Sequence, residues 1–207
     1  RTLAEQTPPL AVEERVNALH DPVPEDRRAA AHALGEIGDP RAVPALLQIL
    51  KDPASDLIVE ACEALGRIES PEALPDLMAL LHSERIEVRM AVIEALRQMG
   101  DLRALPALLE RLRVAPGPLE QSRLLEAIAN LIRHASAESL PHEGLQAEIP
   151  RWLDSDSPDV RMGAAEVLAA LPPQPVLASR VRERLQTERD PAVLASLARA
   201  LAQHGEQ

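Results

Sequence analysis

Apolar residues return along this chain with the four-then-three spacing of a buried helical face. Ala30, Leu34 and Ile37 form one such face, and Gly38 follows where a left-handed residue closes a helix. Asp39 then offers a side-chain oxygen to cap a second helix, and Pro40 occupies its first turn, where the missing N–H costs nothing. That second helix is expected to run to about Lys51. The same signals return every 31 residues, without a gap, in the segments 21–51, 52–82 and 83–113. In this register Leu34, Leu65 and Leu96 coincide, as do Ala42, Ala73 and Ala104, then Leu46, Leu77 and Leu108, and finally Leu50, Leu81 and Leu112. Pro44, Pro75 and Pro106 recur inside the first turn of the second helix, early enough to leave its hydrogen-bond ladder intact. Ser70 with Pro71 repeats the start signal, and Asp101 keeps the cap but is followed by Leu102.

Past residue 113 the pattern loosens without ending. Val160, Arg161 and Leu168 fall on Val88, Arg89 and Leu96 after a shift of 72, and Leu201 and Gly205 fall on Leu96 and Gly100 after a shift of 105. Residues 114–153 read as one enlarged unit, with helices over Leu119–Arg133 and about Gly144–Leu153, separated by a surplus stretch at 134–144. At the front, Thr7 and Pro8 read as the cap and first turn of a lone second helix. The expected units are a half at about 1–20, then 21–51, 52–82, 83–113, 114–153, 154–186 and a closing half at 187–207. A hairpin of two helices about 18 Å long cannot hide its apolar face alone, so neighbours must stack. The pattern therefore predicts an all-α fold, an α-solenoid of about twelve helices forming a single repeat domain over 1–207. Beginning at Arg1 without an initiator Met, the chain is expected to be a piece of a longer protein.

Composition agrees with this pattern. Of 207 residues 46% are hydrophobic, yet there is no Phe or Tyr and one Trp, so the core is Ala, Leu, Val and Ile. That excludes a barrel or sandwich built on aromatic strands and favours helix. Lys and Arg number 22 against 33 Asp and Glu, a formal charge of −11. An acidic chain opposes nonspecific nucleic-acid binding, which needs a basic surface, and favours a protein partner of basic character. No apolar run is long enough for a membrane span, and the single Cys62 forms no internal disulfide, so a cytoplasmic setting is expected.

The stretches VRMAVIEALRQMGDLRALPALLERL and RAAAHALGEIGDPRAVPALLQILKDP resemble the short HEAT-like repeats of the phycobilisome-lyase type, and the resemblance covers nearly the whole chain. It implies an interaction scaffold, with bilin-attachment subunits and a di-iron hydroxylase as specialised members. In the hydroxylase branch, His-Glu pairs six and five positions before the first-helix Leu hold the metal. Here those places carry Arg28 and Ala29, Val59 and Glu60, then Met90 and Ala91, so that ligand set is absent. The expected function is non-catalytic protein binding along the surface of the second helices. The partner is another protein or another domain of the same full-length chain. The alternative is an accessory subunit of the bilin-attachment type.

Candidate contact residues follow from spacing. On the second helices, offsets of four and three residues mark a solvent-facing stripe: Arg41, Ala45 and Gln48; Glu72, Asp76 and Ala79; Arg103, Ala107 and Glu110. Trp152 joins the candidates because tryptophan is enriched at binding hot spots, although its spacing with Leu145 and Ile149 favours a core position. Cys62 aligns with Ala31 and Ile93 and is expected to be an inert buried thiol. The surplus stretch holds His134, Glu138, His142 and Glu143, whose spacing matches no strong ligand motif. Arg180, Arg182, Arg184 and Arg189 gather near the end, interleaved with Glu183, Glu188 and Asp190 as on an exposed charged helix. With no nucleophile elbow, paired-cysteine motif or glycine-rich phosphate loop, neither catalysis, cofactor nor metal is expected.

Overall fold

The computed structural model describes residues 9–52, 54–135, 142–173 and 175–205. Among these residues there are twelve α-helices and no strand. The expected start signal at Thr7 and Pro8 lies outside the described residues, as does most of the surplus stretch, including Glu138. Packing divides the chain into two compact units, 1–104 and 105–207, a division that falls inside the third 31-residue segment.

The first unit holds α1 (Pro9–Ala18), α2 (Pro24–Ile37), α3 (Val43–Leu50), α4 (Ile58–Ile68), α5 (Leu74–Leu80) and α6 (Ile86–Met99). First helices α2, α4 and α6 pack on one another in sequence, and each also packs on the second helix that precedes it. The sequence register places the core: Leu34, Leu65, Leu96, Leu46, Leu77, Ala42 and Ala73 are fully buried. Each such leucine contributes about 1.5–3 kcal/mol through its removal from water. Cys62 lies in this core, and burial pushes its thiol up to about 12, which leaves it protonated and unreactive at neutral pH.

The first helices approach closely where one carries glycine and the next alanine. A Cβ placed on Gly35 of α2 lies 2.9 Å from the Ala64 Cα of α4, and one on Gly66 lies 2.7 Å from the Ala95 Cα of α6. The repeat thus stacks backbone against backbone at these points, which is why small residues recur there.

Helix ends recur with the same period. Gly38 and Gly100 close α2 and α6 in the left-handed region, at φ +69° and +62°. At the equivalent end of α4 stands Glu69, at φ +55°, the one non-glycine residue with positive φ among the described residues. A side chain there costs about 1 kcal/mol that glycine avoids. Glu69→Gly is therefore expected to raise stability by up to about 1 kcal/mol, read as a higher denaturant midpoint at unchanged slope. A lower midpoint would show that the Glu69 side chain makes a compensating contribution.

The second unit holds α7 (Leu105–Val114), α8 (Pro118–Arg133), α9 (His142–Leu153), α10 (Pro158–Ala170), α11 (Pro175–Thr187) and α12 (Pro191–Gly205). Here α8, α10 and α12 stack as the first helices do, with α7 on α8, α9 on α10 and α11 on α12. Leu108, Leu124, Leu125, Ile128, Ile149, Val160, Leu168 and Leu197 form its core. The enlarged segment thus keeps the hairpin plan, its first helix beginning at Pro118 and its second at His142, two residues before the expected Gly144.

Candidate protein-binding surface

Helices α3 and α5 each begin through a short 3-10 turn, Pro40–Ala42 before α3 and Pro71–Ala73 before α5. A third such turn, Leu102–Ala104, ends the unit. Asp39 is 4% exposed and accepts a hydrogen bond from the Arg41 backbone N–H at 2.9 Å, the capping role its sequence position predicts. The Arg41 side chain then folds back on the same carboxylate, Nε donating to Oδ1 at 2.9 Å and Nη2 pairing with Oδ2. Asp101 and Arg103 repeat this clamp, with the backbone bond at 2.9 Å and Nη2 to Oδ2 at 2.6 Å. In both pairs the guanidinium donating to the carboxylate holds the Asp below its ordinary range and raises the Arg. At the equivalent place in the middle turn, Ser70 makes no side-chain capping bond and Glu72 replaces the arginine.

The stripe residues therefore differ in what they leave available. Arg41, Gln48, Glu72 and Arg103 are exposed and Asp76 is half-buried. Arg41 and Arg103 are committed through Nε and Nη2 to their own caps, so they stand in fixed positions rather than as mobile cations. Glu72 and Asp76 form no ion pair among the described residues. In the second unit Glu110 is exposed on α7 and lies in the field of Arg113, whose Nε donates to Glu148 at 2.6 Å. Trp152 is 4% exposed, alongside the buried Leu145 and Ile149. It is a core residue with no side-chain surface to offer a partner, and it leaves the candidate set because hydrophobic packing at helical spacing claims it.

The first helices are charged too. Several of their outward charges are paired within the unit, Arg28 with Glu60 at 3.3 Å, Glu63 with Arg67 at 4.0 Å, and Arg97 with Glu94 at 2.6 Å, whereas the exposed Glu25, Asp26 and Glu87 form no ion pair among the described residues. Open space also lies beside the second helices. A groove of about 430 Å³ between α1 and the turn before α3 is lined by Val12, Val16, Glu13, Asn17 and Arg41. A second, of about 330 Å³, is lined in part by Leu19, His20, Gln48, Ile49 and Asp52.

A set of structural arginines escaped the sequence reading. Arg27, Arg89 and Arg161 each donate through Nη1 to the carbonyls six and five residues earlier: Asp21 and Pro22, Ser83 and Glu84, Ser155 and Asp156. They tie the loop between hairpins to the first turn of the next first helix. The signal was present, since Arg27 and Arg89 lie two 31-residue repeats apart and Arg161 aligns with Arg89. Arg161 continues to Glu188, with Nε to Oε2 at 2.7 Å and Nη2 to Oε1 at 2.9 Å, and Arg184 joins at 3.0 Å. Arg180 pairs with Asp154 and Glu183, so much of the terminal arginine group is already engaged.

Of the surplus stretch, residues 134, 135 and 142–144 are among those described. His134 Nδ1 lies 2.8 Å from the Asn130 carbonyl, and His142 and Glu143 stand at the start of α9. Among the described residues no three His, Cys, Asp or Glu side chains gather as metal ligands, and no helix is long and apolar enough to cross a membrane.

Stacked helical hairpins with a 31-residue period define the class as an α-solenoid repeat protein. The family model of HEAT repeats matches residues 1–61 and 43–129, more than half of the chain, and the chain belongs to that family. Solved structures similar to this chain include three repeat proteins. The complex of CpcE and CpcF of phycocyanin lyase from Nostoc sp. PCC7120 matches at 24% identity and a TM-score of 0.64, over 94% of this chain and 77% of that one. The archaeal HEAT-like repeats protein from Thermococcus onnurineus NA1 matches at 16% and 0.65, over 97% and 90%. A designed armadillo repeat protein in complex with the peptide (KR)4 matches at 19% and 0.67, over 93% and 98%. At these identities the likeness is one of fold. A search of curated proteins found no significant match.

Proposed function

We propose that this protein is a non-catalytic scaffold that binds another protein, or another domain of its own full-length chain, through the surface of its second helices. The observation that carries this reading is the second-helix side of the first unit, where a fixed arginine and unpaired acids stand together. There the clamped Arg41 lines an open groove, and Glu72 and Asp76 form no ion pair among the described residues. Unpaired, solvated charge costs little in the free protein and becomes productive only against a complementary surface. Arg41, Gln48, Glu72, Asp76 and Arg103 form the contact set in the first unit, and Glu110 is its counterpart in the second. The partner is basic in character. The likeness of fold to repeat proteins whose structures are of complexes, CpcE with CpcF and a designed armadillo repeat protein with a peptide, supports the same reading.

The test is hydrogen exchange on the complex with a partner captured from lysate at moderate salt. Added protection in α3 and α5 is the expected result. Protection confined to α2, α4 and α6 would overturn the surface assignment. A coloured or covalently transferred ligand on the captured protein would replace the scaffold with the bilin-attachment type of accessory subunit.

A further inference from the structure

The charge of this chain is unevenly placed. Residues 1–104 hold 11 Lys and Arg against 19 Asp and Glu, whereas residues 105–207 hold 11 against 14, so the first unit carries −8 of the total −11. On its second-helix side the unpaired acids stand in a defined order. Glu13 of α1 faces Arg41 across the groove of about 430 Å³, close enough to act on its charge. Arg41 follows, held by Asp39 through Nε and Nη2, with Nη1 making no hydrogen bond among the described residues. Glu72 and Asp76 come next, on the turn before α5 and in its first turn. Val12 and Val16 supply apolar surface in the first groove.

The geometry points to an extended, basic polypeptide segment as the occupant, crossing α1, α3 and α5 of the first unit; this rests on the scaffold reading above. One basic side chain meets Glu13, its methylene stem lying over Val12 and Val16, and another meets Glu72 and Asp76. Between them the fixed Nη1 edge of Arg41 donates to a backbone carbonyl of the segment. Neighbouring helices sit about 8–10 Å apart and an extended chain advances about 3.3 Å per residue, so the two cations stand about six residues apart. The clamp explains why a cationic partner is not repelled by Arg41. Asp39 neutralises it and leaves a directional donor in place of a free charge.

The probe is fluorescently labelled (KR)4 peptide, titrated against the full chain at low salt and followed by anisotropy, with (ED)4 as the opposite-sign control. Saturable binding of (KR)4 and none of (ED)4 is expected. Glu72→Lys with Asp76→Lys weakens (KR)4 about tenfold or more, and Glu72→Gln with Asp76→Asn, which preserves shape, weakens it about fivefold. Glu36→Lys with Glu87→Lys makes the same change of charge on α2 and α6 and shifts affinity by less than about twofold. Equal losses from the two lysine pairs would sink the inference by showing that only the overall charge matters. Absence of (KR)4 binding would also sink it, while protection of α3 and α5 by a captured partner would leave the scaffold reading standing. Protection of α2, α4 and α6 alone would remove both.

Discussion

Glu188→Ala lowers stability by about 3 kcal/mol, the largest effect expected of any single charged residue here. The Glu188 side chain is 2% exposed and Arg161 9%, and the two form paired bonds of 2.7 and 2.9 Å. The same carboxylate accepts from Arg184 and from the backbone N–H groups of Arg189 and Asp190, at 3.0, 2.9 and 3.0 Å. Truncation leaves a buried guanidinium without its counter-charge and two backbone donors without an acceptor. The thermal midpoint falls by roughly 10 °C in calorimetry. Replacing both partners, Arg161→Met with Glu188→Leu, recovers much of the loss, because no unpaired charge remains in the interior. A double variant as unstable as Glu188→Ala would show that the loop contacts of Arg161, and not the pair, carry the effect.

The same site sets a pH dependence. The Glu188 carboxyl is held far below its ordinary 4.5, first by Arg161 and further by the two backbone N–H groups and Arg184, against the opposing effect of burial. A carboxyl lowered in the folded state stabilises fully above its unfolded value near 4.5 and loses that contribution as pH falls below it. The difference in stability between the parent and Glu188→Ala is therefore constant from about pH 6 to 8 and narrows below about pH 4.5. Denaturant titrations at several pH values read this directly, and a difference that widened on acidification would contradict it.

Gly66→Ala lowers stability by about 2 kcal/mol, against the expectation from helix propensity, which favours alanine by about 1 kcal/mol. The added Cβ falls 2.7 Å from the Ala95 Cα and 2.9 Å from its Cβ, so α4 and α6 must move apart. Because the obstacle is backbone, no change of rotamer relieves it. Gly38→Ala serves as the comparison: its Cβ meets nothing within 4 Å, and it loses only the left-handed freedom at φ +69°, about 1 kcal/mol. A stabilising Gly66→Ala would mean that the hairpins slide past one another without cost.

Much of the fold was legible because a helical repeat states its plan three times. The coincident Leu34, Leu65 and Leu96 are all buried, and Gly38 and Gly100 take the left-handed conformation their places demand. Where the repeat departs from itself, reading by alignment fails: at the end of α4 the equivalent residue is Glu69, and the backbone keeps its course despite the strain. The stripe on the second helices was legible as a set of positions, and those of the first unit do reach solvent. Its electrostatic content was not. Nothing in the composition of the stripe distinguishes Arg41, clamped by a residue two places earlier, from Glu72, which has no counter-ion among the described residues.

The sequence by itself determined the class, the period, the order of the helices and much of the core, because these follow from local propensity and from apolar spacing along one chain. Only the tertiary structure decided which charges cancel. Arg161 finds Glu188 across 27 residues, Arg27 finds Asp56 across 29, and Arg113 finds Glu148 across 35. These pairings depend on the distance between helices that the sequence does not place side by side. The same holds for Trp152, whose residue type suggests a contact and whose neighbours, assembled by packing, make it core.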